Sequence, residues 1–168
     1  NYRIAPAAVA FPKSVRDVVS IVTACAEFGV PITARGSGTG MAGNSIGAGV
    51  VIDFRRFMHA VVSVDPQART AVVEPGVVLD DLQAAAASHG LMFGPDPSSH
   101  SRATIGGMVG NDAGGNRAVA YGRTSAHVVE LGLVLADGTR AIAHRNGLTA
   151  IDEGDADKVR RVTDQLRH

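Results

Sequence analysis

"ARGSGTGMAGNSIGAGVVIDF", residues 34–54, carries six glycines, and Arg35 is its only charge before Asp53. Gly38-Thr-Gly40-Met-Ala-Gly43 fits G-x-G-x-x-G, and Gly38 to Gly43 followed by Asn44-Ser45 comes close to the spacing of a P-loop. A dinucleotide fingerprint needs a helix after the turn. Only nine residues separate Gly43 from Asp53, Gly47 and Gly49 among them, and a crossover needs ~10–12 residues before its loops are counted. The P-loop reading fails at Asn44, which stands where a lysine would supply a point charge for phosphates. What remains is strand, glycine loop, strand. Consecutive glycines let several backbone N–H groups point into one concavity, a nest for anionic oxygens. Ser37, Thr39 and Asn44 add hydroxyl and amide donors. The alternative is a glycine-rich turn that only lets two strands pack.

The flanks read as mixed structure. Ser14 and Asp17 form a capping-box variant before Val15, Val18, Val19, Val22 and Cys25, which keep helical spacing until Gly29 stops the helix. "VPITAR" and "GVVIDF" are short strands on either side of the glycine loop, and "AVVSVDPQARTAVVEPG" is a hairpin turning at Asp65-Pro66. "LDDLQAAAASHG" is a short helix with Asp80 as cap and Gly90 as stop. "HVVELGLVLADGTRAIAH" is a hairpin turning at Asp137-Gly138. Val159, Val162 and Leu166 share a helix face near the terminal His168. With no initiating Met, this pattern leads to the expectation of a piece of a larger protein. The sum is α+β, with lobes expected at 1–75, carrying the glycine loop, and 76–168.

Residues 94–125, "GPDPSSHSRATIGGMVGNDAGGNRAVAYGRTS", repeat the chemistry of the glycine loop. Little periodicity runs from Gly94 to Gly122, and a structureless loop of that length inside a compact domain is usually functional. Its many small residues let backbone lie flat against a large planar or extended ligand. The stretch has no Phe or Trp, so it lacks the usual stacking platforms for single-stranded nucleic acid.

Composition excludes other classes. Sixteen basic and sixteen acidic residues balance, which argues against a nucleic-acid partner. No apolar run approaches the ~18 residues of a membrane span. The single cysteine, Cys25, rules out an internal disulfide and fits a reducing, cytoplasmic setting. The histidines at 59, 89, 100, 127, 144 and 168 share no ligand spacing, so no metal site is expected. His100 lies in the glycine- and serine-rich segment, where it reads either as a functional group or as a polar loop residue. Arg117 and Arg123 suit either phosphate or substrate, or surface ion pairs. Arg55-Arg56 reads as a solvated turn.

These motifs, in this order, resemble the FAD-binding domain of the PCMH/vanillyl-alcohol oxidase type over about residues 4–145. The resemblance is greatest to FAD-linked D-2-hydroxyacid dehydrogenases and oxidases, the group of glycolate oxidase, D-lactate dehydrogenase and D-2-hydroxyglutarate dehydrogenase. "FGPDPSSHSRATIGGMVGN" is similar to large bacterial fusions with a C-terminal iron–sulfur part. The resemblance implies two small α/β lobes with the cofactor between them. It implies that Arg35, Gly36, Ser37, Gly38, Thr39, Gly40, Met41, Gly43 and Asn44 cradle the FAD pyrophosphate, with Pro75 and Gly76 beside the flavin nucleotide. Pro95, Asp96 and Ser99 approach the cofactor, and Thr104, Gly106 and Gly107 contact ribityl or pyrophosphate. Asn111, Ala113, Gly114 and Gly115 run past the isoalloxazine, followed by Tyr121 and Gly122, and Val128 holds the adenine end.

Some members attach the flavin through a His in or near the first glycine loop. "GSGTGMAG" has none, so the FAD is expected to be noncovalent. The implied reaction is hydride transfer from a 2-hydroxy acid to the flavin. Catalytic residues and the substrate-binding domain are expected outside this chain, and the electron acceptor is left open. Two other readings stand beside it: a non-catalytic flavin- or nucleotide-binding module or electron relay, and a cell-wall precursor reductase that uses the same domain type.

Overall fold

The computed structural model describes residues 3–165. In chain order its elements are β1 (Ala8–Ala10), α1 (Val15–Glu27), β2 (Ile32–Arg35), β3 (Val50–Asp53), β4 (Val61–Asp65), β5 (Thr70–Val73), α2 (Leu79–Ala87), α3 (Ile105–Gly110), α4 (Ala118–Tyr121), β6 (Leu131–Val134), β7 (Arg140–His144), β8 (Gly147–Ala150) and α5 (Ala156–Gln165). The chain is α+β, as its sequence predicts. It divides into two compact units that interleave along the chain: residues 1–13 with 32–127, and residues 14–31 with 128–168.

The first unit holds a three-stranded parallel sheet in the order β1-β3-β2. Central β3 is apolar on both faces, with Val51 and Ile52 buried, as a strand between two parallel neighbours demands. Register sets Ile32 opposite Val50 and Arg35 opposite Asp53, so β2 delivers the glycine loop at the carboxyl end of the sheet. The antiparallel β4–β5 hairpin turns through Asp65, whose carboxylate accepts the N–H groups of Gln67 and Ala68. The core of this unit is Val77, Leu79, Leu82, Ala103, Ile105 and Met108. It ties α2 to α3 through apolar contact, at roughly 1.5–3 kcal/mol per fully buried large side chain.

The second unit contains α1, the antiparallel sheet β6-β7-β8 and α5. Ser14 and Asp17 complete a reciprocal capping box on α1, and Gly29 ends it at φ +63°. Gly138 turns β6 into β7 at φ +86°. Arg140 and Asp152 form a two-bond ion pair, while Lys158 bonds Asp155 at 2.7 Å. Leu166 and His168 lie outside the described residues.

Two local expectations are overturned. Residues 94–122 are not structureless, since they hold α3 and α4. Both helices are too short to show a period in the sequence. Asp80 does not cap α2: Val78 is the N-cap residue without a side-chain bond, and Asp80 sits inside the first turn. Its carboxylate accepts from His100 Nδ1 at 2.7 Å instead. The strands β1 and β8 have no counterpart among the sequence expectations. No helix among the described residues is long and apolar enough to cross a membrane.

Candidate functional site

A groove of about 200 Å³ opens in the first unit between residues 34–45 and residues 97–113. Its first wall is the glycine loop. Gly38 and Gly43 take positive φ, +69° and +77°, and fold the chain after β2 into a concavity. The backbone N–H groups of Ser37, Gly38, Thr39 and Gly40 donate to no group among the described residues. The Arg35 guanidinium lies against this turn, since a Cβ on Gly38 would sit 2.7 Å from Arg35 Nη2. Asp53 Oδ2 holds Arg35 Nε from the neighbouring strand at 3.8 Å. A cation thus backs the loop without standing in the groove.

The second wall is built on Thr104, which is 2% exposed. Its hydroxyl caps α3 by accepting from Gly107 N at 3.3 Å. The segment 75–79 fixes it in place: Leu79 N donates to Ala103 O, Ile105 N to Val77 O and Gly106 N to Pro75 O, at 2.8–2.9 Å. Asp96 bridges Gly115 in parallel register. This seam leaves no room for a side chain at Gly115, whose Cβ would overlap the Asp96 carbonyl. After α3 the chain turns through Asp112 at φ +45°. Asp112 Oδ1 accepts from Ser125 N at 2.9 Å, and Arg123 stands 3.7 Å away. The hydrogen bond to the Ser125 backbone leads, with the Ser125 side chain and Arg123 adding to it, in holding the Asp112 carboxyl below the usual range. Thr124 Oγ1 then donates to Ala113 O at 2.6 Å and secures the groove's last residue.

The residues singled out in the sequence divide by position. Gly36, Ser37, Gly38, Thr39, Gly40, Asn44, Ser99, Thr104, Gly107, Asn111 and Ala113 line the groove. Pro75, Gly76, Pro95, Asp96, Gly106, Gly114 and Gly115 are not among its lining residues. A Cβ on Gly106 would meet Pro75 at 2.8 Å, and one on Gly76 would overlap the carbonyls of Phe54 and Met58. Arg35 and Gly43 shape the loop, and Met41 projects into solvent at 93% exposure. Tyr121 lines a separate cavity with Arg69, Met92 and His127. Gly122 ends α4 at φ +81°, and Val128 belongs to the second unit. Ala34, Ser45, Pro97, Ala103 and Met108 also line the groove without having been singled out. Their small size or their place beside a motif was the only available signal.

The ambiguous polar residues resolve into partners. His100 pairs with Asp80, and Arg117 Nε stands 3.2 Å from Asp96. Arg56 is not merely solvated: its guanidinium stacks on Phe11 at 4.9 Å and on Phe57 at 5.2 Å, a cation–π arrangement.

The groove suits an anionic, extended ligand. No Asp or Glu is among its lining residues. Ser37 Oγ is buried and without a hydrogen-bond partner among the described residues, a state costing ~1–3 kcal/mol that an acceptor oxygen relieves. The free N–H groups add donors without any desolvated charge. A phosphate-bearing cofactor such as FAD fits this donor set.

Comparison with known proteins agrees. The family described as FAD binding domain matches residues 6–143. The chain is 40% identical over 142 residues to a D-2-hydroxyglutarate dehydrogenase of Pseudomonas putida, covering 83% of the chain and 14% of that protein. It is 39% identical over 140 residues to glycolate oxidase subunit GlcD of Bacillus subtilis, covering 82% of the chain and 30% of the relative. The chain therefore spans less than a third of the length of either. Among solved structures, 6-hydroxy-D-nicotine oxidase of Arthrobacter nicotinovorans superposes with a TM-score of 0.73 at 26% identity, over 81% of the chain and 29% of that structure. An alkyldihydroxyacetonephosphate synthase gives 0.70 at 26% identity, over 81% and 25%.

Proposed function

The chain belongs to the FAD binding domain family, and from that premise we propose that it is the cofactor-holding part of an enzyme that oxidises a 2-hydroxy acid. The observation that carries the site is the set of unpaired N–H groups at Ser37–Gly40 beside the orphaned Ser37 hydroxyl. These groups take the pyrophosphate. Thr104, Gly107, Asn111 and Ala113 face the remainder of the cofactor from the opposite wall, and the small residues admit a flat ring. When bound, FAD supplies the hydride acceptor. The chain's own residues bind it, orient it and shield its phosphate charge. The substrate class is supported by the names of the relatives, two of which act on 2-hydroxyglutarate and glycolate. A cytoplasmic setting accompanies this reading and suits the lone buried thiol of Cys25.

One observation favours a second reading. The groove is lined by Gly, Ala, Ser, Thr, Asn, Pro and Met, none of which is an acid or base near neutral pH. A flavin-binding module without catalysis of its own has the same lining. In the oxidoreductase reading, the proton-accepting group comes from residues beyond this groove.

Titration of the chain with FAD tests the first step: saturable quenching of flavin fluorescence with no competition from ATP is expected. The second step is tested on the full-length gene product under anaerobic conditions. Bleaching of the flavin band by D-2-hydroxyglutarate, D-lactate or glycolate supports the oxidoreductase. A stably bound flavin that none of the three bleaches favours the module.

A further inference from the structure

The two asparagines of the groove make a bond that the cofactor assignment does not account for. Asn44 Nδ2 donates to Asn111 Oδ1 at 2.7 Å, across 67 residues of sequence. Asn111 Nδ2 in turn donates to Gly107 O at 2.9 Å. This second bond fixes the Asn111 amide, because turned over it would set one carbonyl oxygen against another. One N–H of each amide is therefore consumed inside the protein. Gly40 lies against the pair, since a Cβ there would stand 2.9 Å from Asn44 Oδ1 and 3.9 Å from Asn111 Oδ1. The loop between has left-handed glycines at 38 and 43, and its amides at 37–40 have no partner among the described residues. Its near end is seated on Thr104 through Gly36, and its far end is held by Asn44.

We infer that Asn44 and Asn111 are a positioning pair: a clasp that ties the far end of the glycine loop to the end of α3 and governs how fast FAD leaves, instead of acting as phosphate ligands themselves. The inference rests on the cofactor reading above. A donor array that is already shaped spares the cofactor the cost of ordering it. The clasp acts on the loop, so its two members act as a unit.

The test is a double-mutant cycle on the full chain with N44A, N111A and the double variant. FAD dissociation is followed by stopped-flow fluorescence. Each single variant is expected to release FAD roughly three- to tenfold faster, with the association rate little changed. The double variant is expected to be no faster than the quicker single. Both side chains are exposed, so the fold is retained, and circular dichroism checks this. A second readout needs no cofactor: amide order parameters of residues 38–44 are expected to drop from about 0.85 towards 0.6 in every variant. Release rates that multiply in the double variant overturn the clasp, because each side chain would then act without the other. Order parameters that stay rigid in both singles overturn it as well. If the unmodified chain takes up no FAD, the cofactor reading is decided on the full-length gene product, while the order parameters still decide the clasp.

Discussion

Gly36 lies so close to Thr104 that a Cβ added to it would overlap the threonine hydroxyl. The same hydroxyl caps α3, so one contact joins the root of the glycine loop to the start of the opposite wall. Gly36 has no positive φ, and its requirement is one of space alone. Gly36→Ala is expected to expel the hydroxyl from its cap, at about 1 kcal/mol, and to weaken FAD binding at least roughly tenfold (~1.4 kcal/mol). Removing the obstructing oxygen makes room, so the double variant G36A/T104A is expected to bind FAD more tightly than G36A. Titration of the two proteins decides it, and equal affinity would refute the steric account.

Ser37 separates folding from binding. Its hydroxyl is buried without a partner among the described residues, so Ser37→Ala is expected to leave the cofactor-free chain unchanged or more stable by up to about 1 kcal/mol. With FAD present the sign reverses, because an acceptor oxygen of the ligand has lost its donor. Thermal melts with and without FAD give both quantities. A variant less stable in both conditions would place the hydroxyl in the fold and not in the site.

Gly115 and Gly110 form a matched pair. Gly115 combines φ +78° with a Cβ position that overlaps the Asp96 carbonyl, while nothing lies within 4 Å of the Cβ position at Gly110 in α3. Gly115→Ala is expected to destabilise by at least ~2 kcal/mol, beyond the ~1–2 of a left-handed residue alone. Gly110→Ala is expected to cost nothing, or to gain up to ~1 kcal/mol from helix propensity. Urea unfolding of both variants measures the difference, which vanishes if the Asp96–Gly115 seam is not close-packed.

Acid is expected to weaken this chain through a few carboxylates. Hydrogen bonds from Ser125, Thr139 and Arg140 lead in lowering Asp112, Asp137 and Asp152, respectively. A carboxylate with a depressed folded value contributes stability above its unfolded value and loses it as pH falls through the folded one. Stability is therefore expected to hold down to about pH 4 and to decline below it. Lys158 runs the other way, raised first by its hydrogen bond to Asp155. Its share is present below its unfolded value and is lost as pH rises through the higher folded one. Asp112→Asn is expected to flatten part of the acid limb in a pH series of urea midpoints. An unchanged limb would assign acid sensitivity to other groups.

Local chemistry made some of this legible. Ser14 and Asp17 announce α1 because both cap partners lie within one turn, and Gly29 and Gly138 mark reversals that only positive φ permits. The family is legible because three motifs stand in order. What the sequence withholds is the partner across the chain. Nothing near Asp80 says that His100 will claim its carboxylate, and nothing near Gly106 says that Pro75 will press on it. The same holds for β1, whose three residues become a strand only because β3 offers an edge.

The interleaving of the two units bears on the order in which a ribosome releases them. Residues 14–31 emerge before residues 32–127, yet their own unit is completed only by residues 128–168. At about 5–20 residues per second, α1 waits on the order of ten seconds for β6, while the whole of residues 32–127 is synthesised. Through that interval its capping box can hold the N-terminal end of the helix, but β6, which α1 meets in the folded unit, has not been made. A nascent chain arrested before residue 128 thus displays an apolar helix face to the solvent and to any chaperone beside the exit tunnel.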